Sequence, residues 1–240
     1  MTEPHAEVAT IGNYAEQSAA YREAVAKIVR SHAINELEGA RIYDEPAIAQ
    51  APDPRAKWYA CRIAAEEYHH HLRFKELGEA IGMAAGELMP GGAKRHMSLF
   101  DYPTPSWPEF CAIKMLGDLG EILQVEDLLA CSFLPLRDLA RDTMPEEQFH
   151  ARFGENFCGD LAATDEGRAA VQGAVDWLFP MMPDFFGASN SANNETYRRF
   201  GIKARTNDEM RADYVARARD IVEGRLGLSL PDISLAPATP

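Results

Sequence analysis

Residues 145–157 read PEEQFHARFGENF and place Glu147 and His150 three positions apart. In an α-helix, side chains at this spacing lie on one face. Residues 64–74, AAEEYHHHLRF, repeat the arrangement with Glu67 and His70. Two Glu-x-x-His units on two helices suit the core of a four-helix bundle that holds two metal ions, provided that each remaining helix adds a carboxylate. The two stretches therefore predict an all-α fold.

Two carboxylates upstream complete this set. Asp118 lies 29 residues before Glu147, and Glu36 lies 31 residues before Glu67, so each acid can sit level with its partner motif in an antiparallel helix hairpin. Both acids fall on the apolar face of their own helix, where a buried carboxylate is costly and a metal cation would offset that cost. Carboxylates and imidazoles together suit Fe or Mn. We expect six metal ligands: Glu36, Glu67, His70, Asp118, Glu147 and His150.

Other acids offer alternatives. Glu66 and His69 form an overlapping Glu-x-x-His pair, but that pair lies among arginines on the outer face of its helix. Glu38 lies 29 residues before Glu67, yet it shares a face with Lys27 and Arg41. If no metal binds here, the acids at these positions are instead expected to make buried hydrogen bonds to Arg or Tyr.

Glu121 competes with Asp118 for the ligand role on the third helix. It lies 26 residues before Glu147 and about 60° from Asp118 around the helix axis. We expect Asp118 to bind metal and Glu121 to stand beside the ligands, and we count Glu36, Asp118 and Glu121 as candidate catalytic residues.

Apolar periodicity predicts the order of the helices. The four bundle helices cover about residues 13–43, 55–81, 108–133 and 136–161, and two more cover about 165–179 and 208–224, the last capped by Thr206 or Asn207. The Pro/Gly-rich residues 83–106 form the long crossover expected of a ferritin-like bundle. We expect one domain over 1–240, with the core bundle at about 13–161 and a helical extension over 162–240.

The remaining segments read as irregular. Residues 1–12 are expected to be a loose tail, 187–206 mostly loop, and 230–240 an irregular tail. Pro46, with two further prolines at 52 and 54, is expected to close the first helix. Pro145 should kink the fourth helix or begin a new one, in which case Thr143 and Glu146 would form a capping box.

Composition and charge exclude some classes of binding partner and location. The formal net charge is −13, which argues against nucleic acid and anionic membranes as partners. The sequence has no apolar run long enough to span a bilayer, and its first ten residues lack the apolar core of a signal peptide. The four cysteines form no Cys-x-x-Cys pair and read as reduced, mostly buried thiols of a cytoplasmic protein.

The sequence resembles the catalytic subunits of the phenylacetyl-CoA epoxidase family and, more distantly, the oxygenase component of benzoyl-CoA epoxidases. The stretches that carry the resemblance span nearly the whole chain: NELEG (35–39), EEYHH (66–70), FDYPTPSW (100–107), GDLGEI (117–122), EEQFH (146–150), AVQGAVDWLFPMM (170–182), RTNDEM (205–210) and GLSLPD (227–232). The family's ligands map onto the same six positions, including the aspartate on the third helix.

The resemblance implies a chemistry. Two Fe ions would activate O2, and one oxygen atom would enter the ring of an aryl-CoA thioester to give a ring epoxide. A purified sample could hold Mn or Zn in place of Fe. Electrons would come from NADPH through a separate reductase, since the chain has no flavin or iron–sulfur motif. The resemblance also implies a homo- or hetero-oligomer and a structural partner subunit. Glu121 stands where the family has a small residue, and this predicts a narrower pocket or a changed substrate.

Two other functions fit parts of the sequence. A ferritin-like metal-storage or peroxide-handling protein would need neither the long 83–106 connection nor the extra C-terminal helices. A non-catalytic structural subunit would be expected to have lost ligands, whereas all six are present here. The identity of the acyl-CoA and the choice between epoxidation and hydroxylation stay open, as does the contact with the CoA phosphates, for which Lys57, Lys94 and Arg95 are candidates.

Overall fold

The computed structural model describes residues 5–91, 98–102 and 106–233. Its α-helices are α1 (Ile11–Ala15), α2 (Ala19–Gly39), α3 (Glu45–Gln50), α4 (Pro54–Ala80), α5 (Trp107–Leu128), α6 (Leu134–Leu161), α7 (Asp165–Leu178), α8 (Ala192–Arg199) and α9 (Asn207–Arg219). Two π-helical segments, Ala40–Asp44 and Asp220–Arg225, continue α2 and α9. Short 3-10 segments cover Ala85–Leu88, Ser98–Asp101 and Phe179–Phe186. Across these ranges no strand forms, and the predicted all-α class is confirmed.

Four long helices form the bundle. Helix α2 packs along α4, α5 packs along α6, and α4 and α6 bring the two pairs together. The C-terminal helices α7 and α9 cover the outer side of α5, so α5 is the central helix and is buried over most of its length. This position explains why the sequence of α5 is apolar on nearly every face. The predicted bundle with additional C-terminal helices is therefore confirmed.

Capping residues in the sequence stabilise the N-termini of these helices. The Asp53 carboxylate accepts hydrogen bonds from the first backbone amides of α4, and Pro54 occupies the first turn, where a missing N–H costs nothing. Thr206 caps α9 and exchanges hydrogen bonds with Glu209, which completes a capping box. Thr206 is one of the two caps predicted for this helix.

A polar layer crosses the bundle between two apolar clusters. On the side toward the N-termini of α4 and α5, one cluster contains Ile63 of α4 and Met115 of α5. On the side toward the C-termini of these two helices, the other cluster contains Phe74 of α4 and Val125 of α5. The six predicted ligands lie between these two levels on their helices and are all buried. The apolar clusters thus enclose the polar layer on its two sides along the bundle.

Several predicted boundaries are wrong at the start of the chain. Residues 5–10 are not a loose tail, because Val8 is buried and its backbone pairs with Ser132 and Leu134. Pro46 does not close the first helix but lies in the first turn of α3, since the chain continues through the π-helical segment. Residues 1–4 lie outside the described part.

The later boundaries show two more differences. Residues 187–206 contain α8, a polar helix whose N-terminus is capped by Ser191; apolar periodicity missed it because Asn194 is its one buried residue. Of the two alternatives predicted for Pro145, the start of a new helix is wrong, because Pro145 lies inside α6 and the Thr143 hydroxyl donates to the Ala140 carbonyl instead of forming a capping box. Pro145 is exposed, so water can satisfy the carbonyl that lost its N–H partner.

The structure bears on three further predictions, which concern the cysteines, membrane-spanning helices and the C-terminal tail. All four cysteines are free, with Cys61 exposed and Cys111, Cys131 and Cys158 buried. In the part of the chain that the structure describes, every helix is too short or too polar to cross a membrane. The predicted irregular C-terminal tail covers 230–240; residues 230–233 have no regular structure, and 234–240 lie outside the described residues.

Gly154 allows α5 and α6 to touch backbone to backbone. A Cβ atom at Gly154 would lie 2.2 Å from the Met115 nitrogen and 2.6 Å from the Cys111 carbonyl oxygen. We expect Gly154→Ala to destabilise the protein by about 1–3 kcal/mol, because the helices beside the polar layer must separate. Urea unfolding measures the loss.

The matched control is Gly173→Ala in α7, where an added Cβ meets no atom within 4 Å. This substitution should be neutral or stabilise by up to about 1 kcal/mol, since alanine favours the helix. Equal unfolding midpoints for the two variants would contradict the close approach of α5 and α6.

Candidate metal centre

The six predicted ligands converge in two overlapping groups. One group contains Glu36, Glu67, His70 and Glu147, and the other contains Glu67, Asp118, Glu147 and His150. Within each group, one donor atom from every residue lies within 4.8 Å of all the others. Glu67 and Glu147 belong to both groups. The arrangement therefore offers two adjacent cation positions that share two carboxylates.

Each bundle helix contributes to this centre. Helix α2 supplies Glu36 and α5 supplies Asp118, while α4 and α6 each supply a glutamate and the histidine three residues later. One carboxylate from each of two helices and a Glu-x-x-His pair from each of the other two is the donor set of carboxylate-bridged two-metal bundles.

Two further glutamates contact the histidine rings. The contacts are crosswise, because each glutamate lies on the other helix of the α4/α6 pair from its histidine. The Nε2 atom of His70 on α4 lies 2.7 Å from Glu146 on α6. The Nε2 atom of His150 on α6 lies 2.8 Å from Glu66 on α4. Such a hydrogen bond orients a ligating imidazole and makes its other nitrogen a better donor to metal. Glu66, which the sequence pattern assigns to the outer face, therefore belongs to the site.

Three buried donor atoms of these groups contact charged members of the centre. Nδ1 of His70 lies 3.0 Å from Glu147, Nδ1 of His150 lies 3.2 Å from Glu67, and Oδ2 of Asp118 lies 2.9 Å from the Lys114 ammonium. Metal cations between these imidazoles and carboxylates would use the same atoms as ligands, and buried charges require such partners. The residues present thus fit a pair of metal ions.

Proton affinities in the centre are strongly perturbed. Burial lowers the pKa of His150, but hydrogen bonds with Glu66 and Glu67 outweigh burial and raise it to about 10. Burial raises the pKa of Glu36 to about 7, against hydrogen bonds with His32 and His70 that lower it. Because metal ligands must be deprotonated, metal binding at such a centre is coupled to proton release.

An internal cation lies beside the same carboxylates. The Lys114 ammonium is 2.6 Å from Glu67, 2.9 Å from Asp118 and 3.2 Å from Asp44. Lys114 is 2% exposed and Asp44 is 1% exposed. Burial raises the pKa of Glu67, but the Lys114 ammonium, His150 and His70 together outweigh burial and lower it well below its usual value. Burial also lowers the pKa of Lys114, while the surrounding carboxylates raise it well above its usual value.

Sequence reasoning missed both residues. One signal was available for Lys114, which is the one charged residue between Cys111 and Gly117 in a helix apolar on nearly every face. Asp44 gave no such signal, because its burial depends on the π-helical segment Ala40–Asp44. Glu66 and Glu146 were signalled by the Glu-Glu pair that opens both metal motifs.

Glu121 is placed beside the centre. Its carboxylate lies 3.0 Å from Nδ1 of His32, whose ring stacks on Phe74 at a centroid distance of 4.8 Å. Burial lowers the pKa of His32, but the carboxylates of Glu121 and Glu36 together outweigh burial and raise it to about 9. Glu121, His32 and Glu36 form a third donor group, which shares only Glu36 with the two four-residue groups. Glu38 and His69 join none of the groups found in the described residues.

A small cavity of about 70 Å3 opens onto the centre. Glu67, Asp118 and Glu147 form its polar side, and its apolar side includes Leu99, Phe100, Ile113 and Phe185. A second cavity of about 290 Å3 adjoins it, since Asn35, Glu121 and Phe185 line both. The centre therefore faces a mostly apolar cavity with a larger cavity of mixed lining beside it.

Comparison with known proteins places this geometry in context. Residues 8–238 match the family described as phenylacetic acid catabolic protein. The chain is 31% identical over 225 residues to a subunit of the 1,2-phenylacetyl-CoA epoxidase of Escherichia coli K12, covering 90% of this chain and 71% of that protein. It is 24% identical over 168 residues to benzoyl-CoA oxygenase component B of Aromatoleum evansii, covering 61% of this chain and 36% of that protein.

A solved structure supports the fold. The Synechococcus protein described as having aldehyde deformylating oxidase activity superposes with a TM-score of 0.66, over 88% of this chain and 93% of that one. The sequence identity is 18%, so this likeness concerns the fold alone. The ferritin-like fold predicted from the sequence is confirmed.

Asp118 and Glu121 should differ in their effect on metal content. We expect Asp118→Ala to lose the ion bound with His150, because nothing else on α5 replaces its oxygen. Glu121→Ala should keep both ions, since its carboxylate pairs with His32. Metal analysis after reconstitution with Fe2+ or Mn2+ decides between them. A metal-depleted Glu121→Ala beside a replete Asp118→Ala would reverse the assignment.

The crosswise hydrogen bonds make a second prediction. Glu146→Ala should weaken the ion bound by His70, and Glu66→Ala the ion bound by His150, each by about 10- to 100-fold, because the imidazole loses its orienting partner. Calorimetric titration with Mn2+ measures both affinities. Glu79→Ala, which removes a surface partner of Lys75, is the control and should bind as the wild type does. Wild-type affinity in both test variants would contradict the orienting role.

Proposed function

The chain belongs to the phenylacetic acid catabolic protein family, and we propose that it is the di-iron oxygenase subunit of an enzyme acting on an aryl-CoA thioester. The observation that carries the proposal is the pair of donor groups that share Glu67 and Glu147 and open onto an apolar cavity. The names of the two relatives, one part of an epoxidase and the other an oxygenase component, support the same chemistry.

The residues divide the work of holding the ions. Glu36 and His70 would complete one iron position, Asp118 and His150 would complete the other, and the shared carboxylates would bridge them. When bound, the two irons supply O2 activation and the redox chemistry of oxygen insertion. The donor residues are buried between the two apolar clusters, and low exposure to water strengthens the electrostatic interactions among them.

The cavities suit an aromatic group carried on a long polar arm. Leu99, Phe100 and Phe185 would hold the ring beside the centre, and Glu121, which lines both cavities, would narrow the space between them. The lining of the adjoining cavity includes Lys27 and Lys203, which would meet the phosphates of CoA. Lys57 is exposed at the start of α4 and lines neither cavity, while Lys94 and Arg95 lie outside the described residues.

The reaction proposed is ring epoxidation. Aryl-CoA, O2, NADPH and a proton would give the ring epoxide, NADP+ and water, with one oxygen atom in each of the epoxide and the water. The reductase would be a separate protein, and a structural subunit would be a further partner, in keeping with the naming of the relatives as parts of larger enzymes. The presence of all six donor residues favours this role over that of a non-catalytic subunit.

The test is reconstitution of the enzyme with purified iron-loaded protein. We expect no steady consumption of NADPH by the protein alone, and turnover of an aryl-CoA thioester once a reductase and the structural subunit of the family are added. Mass spectrometry should find one atom of 18O from 18O2 in the product. Glu147→Ala, prepared in the same way, is the inactive control. NADPH-dependent turnover by the protein alone, or a product without 18O, would contradict the proposal.

A further inference from the structure

A buried positive charge lies inside the candidate metal centre. The Lys114 ammonium contacts three carboxylates, of which Glu67 and Asp118 belong to the group that includes His150. The third, Asp44, belongs to neither four-residue group. Lys114 precedes Asp118 by one helical turn on α5, so its side chain approaches the carboxylates from the same helix that supplies the metal ligand.

We propose that the Lys114 ammonium takes the place of a cation beside Glu67 and Asp118 while metal is absent, and that Asp44 is the carboxylate that keeps Lys114 paired once metal binds those two. The inference rests on the proposed two-metal function and adds an order of loading to it. The position completed by Glu36 and His70 fills first, and the position completed by Asp118 and His150 fills second.

Charge balance supports a dedicated partner for Lys114. Glu36, Glu67, Asp118 and Glu147 together carry the charge that two divalent ions neutralise. Lys114 is then left over, and Asp44 is the one remaining carboxylate that the described residues place against it. An unpaired buried charge is strongly destabilising, so metal binding at both positions needs Asp44 to hold the ammonium.

The contacts of Glu67 show why the two positions differ. Its Oε1 atom lies 2.6 Å from the Lys114 ammonium and 3.2 Å from Nδ1 of His150. Its Oε2 atom lies on the other side, 3.6 Å from Nδ1 of His70. The ammonium therefore competes for the donor atoms of the His150 position, and buried like charges at such distances repel strongly.

Asp44 is held where this role requires. It is the last residue of the π-helical segment Ala40–Asp44, it is 1% exposed, and its Oδ1 atom lies 3.2 Å from the Lys114 ammonium. Single π-helical turns are often found at functional sites because they redirect one side chain. Here the segment turns a carboxylate into the bundle eight residues after Glu36.

The test is a Mn2+ titration of the metal-free full-length protein and three variants, followed by calorimetry and by the paramagnetic signal of coupled Mn2+ pairs. Wild type should bind two ions with unequal affinities. Asp44→Asn should weaken the second ion at least tenfold, because Lys114 keeps only ligand carboxylates as partners. Lys114→Met should tighten the second ion at least tenfold. The double variant should bind like Lys114→Met, which reverses the defect of Asp44→Asn.

The controls separate this inference from the proposed function. Lys75→Met, which removes a surface ion pair with Glu79, should bind as the wild type does. The double variant buries no unpaired charge, so it remains informative where a single variant unfolds. The order of loading is overturned if the wild type binds two ions with equal affinity, or if the double variant does not recover the affinity for the second ion. Either result leaves the two-metal function standing. A wild type that binds no divalent ion overturns both.

Discussion

The structure depends on the balance of charge in one buried layer. Four carboxylates and two histidines, each less than a tenth exposed, face one another inside the bundle. Each ion taken out of water costs several kcal/mol, and attraction to an opposite charge repays this only with good geometry. In the metal-free chain, the Lys114 ammonium supplies positive charge, and hydrogen bonds with Glu66 and Glu67 raise the pKa of His150. Two divalent ions would supply it in the working protein.

The surrounding structure makes that layer rigid. Apolar clusters close it at both ends of the bundle, and Gly154 lets α5 and α6 approach closely enough to fix the distance between Asp118 and Glu147. The crosswise pairs of Glu66 with His150 and of Glu146 with His70 join α4 to α6. Each metal motif thus orients the histidine of the other, and neither is complete without its counterpart.

The fold and the six donor positions could be predicted because periodic features encode them. The Glu-x-x-His spacing fixed the faces of α4 and α6, and the intervals from Glu36 and Asp118 placed those acids level with the motifs. The missed features depend on tertiary structure. Asp44 reaches the site through a π-helical turn that no pattern indicates, and α8 is too polar to show a helical stripe. Lys114 reads as an ordinary partner of Asp118 until the burial of α5 is known.

The central claim is that Glu67 and Glu147 are shared by two metal ions. A crystal structure of the Fe- or Mn-reconstituted protein, with anomalous diffraction collected at the metal edge, measures this directly. The account predicts two anomalous peaks about 4 Å apart, as in other two-metal sites, both within bonding distance of Glu67 and Glu147. A single peak, or a peak held by His32, Glu36 and Glu121 instead, would contradict it.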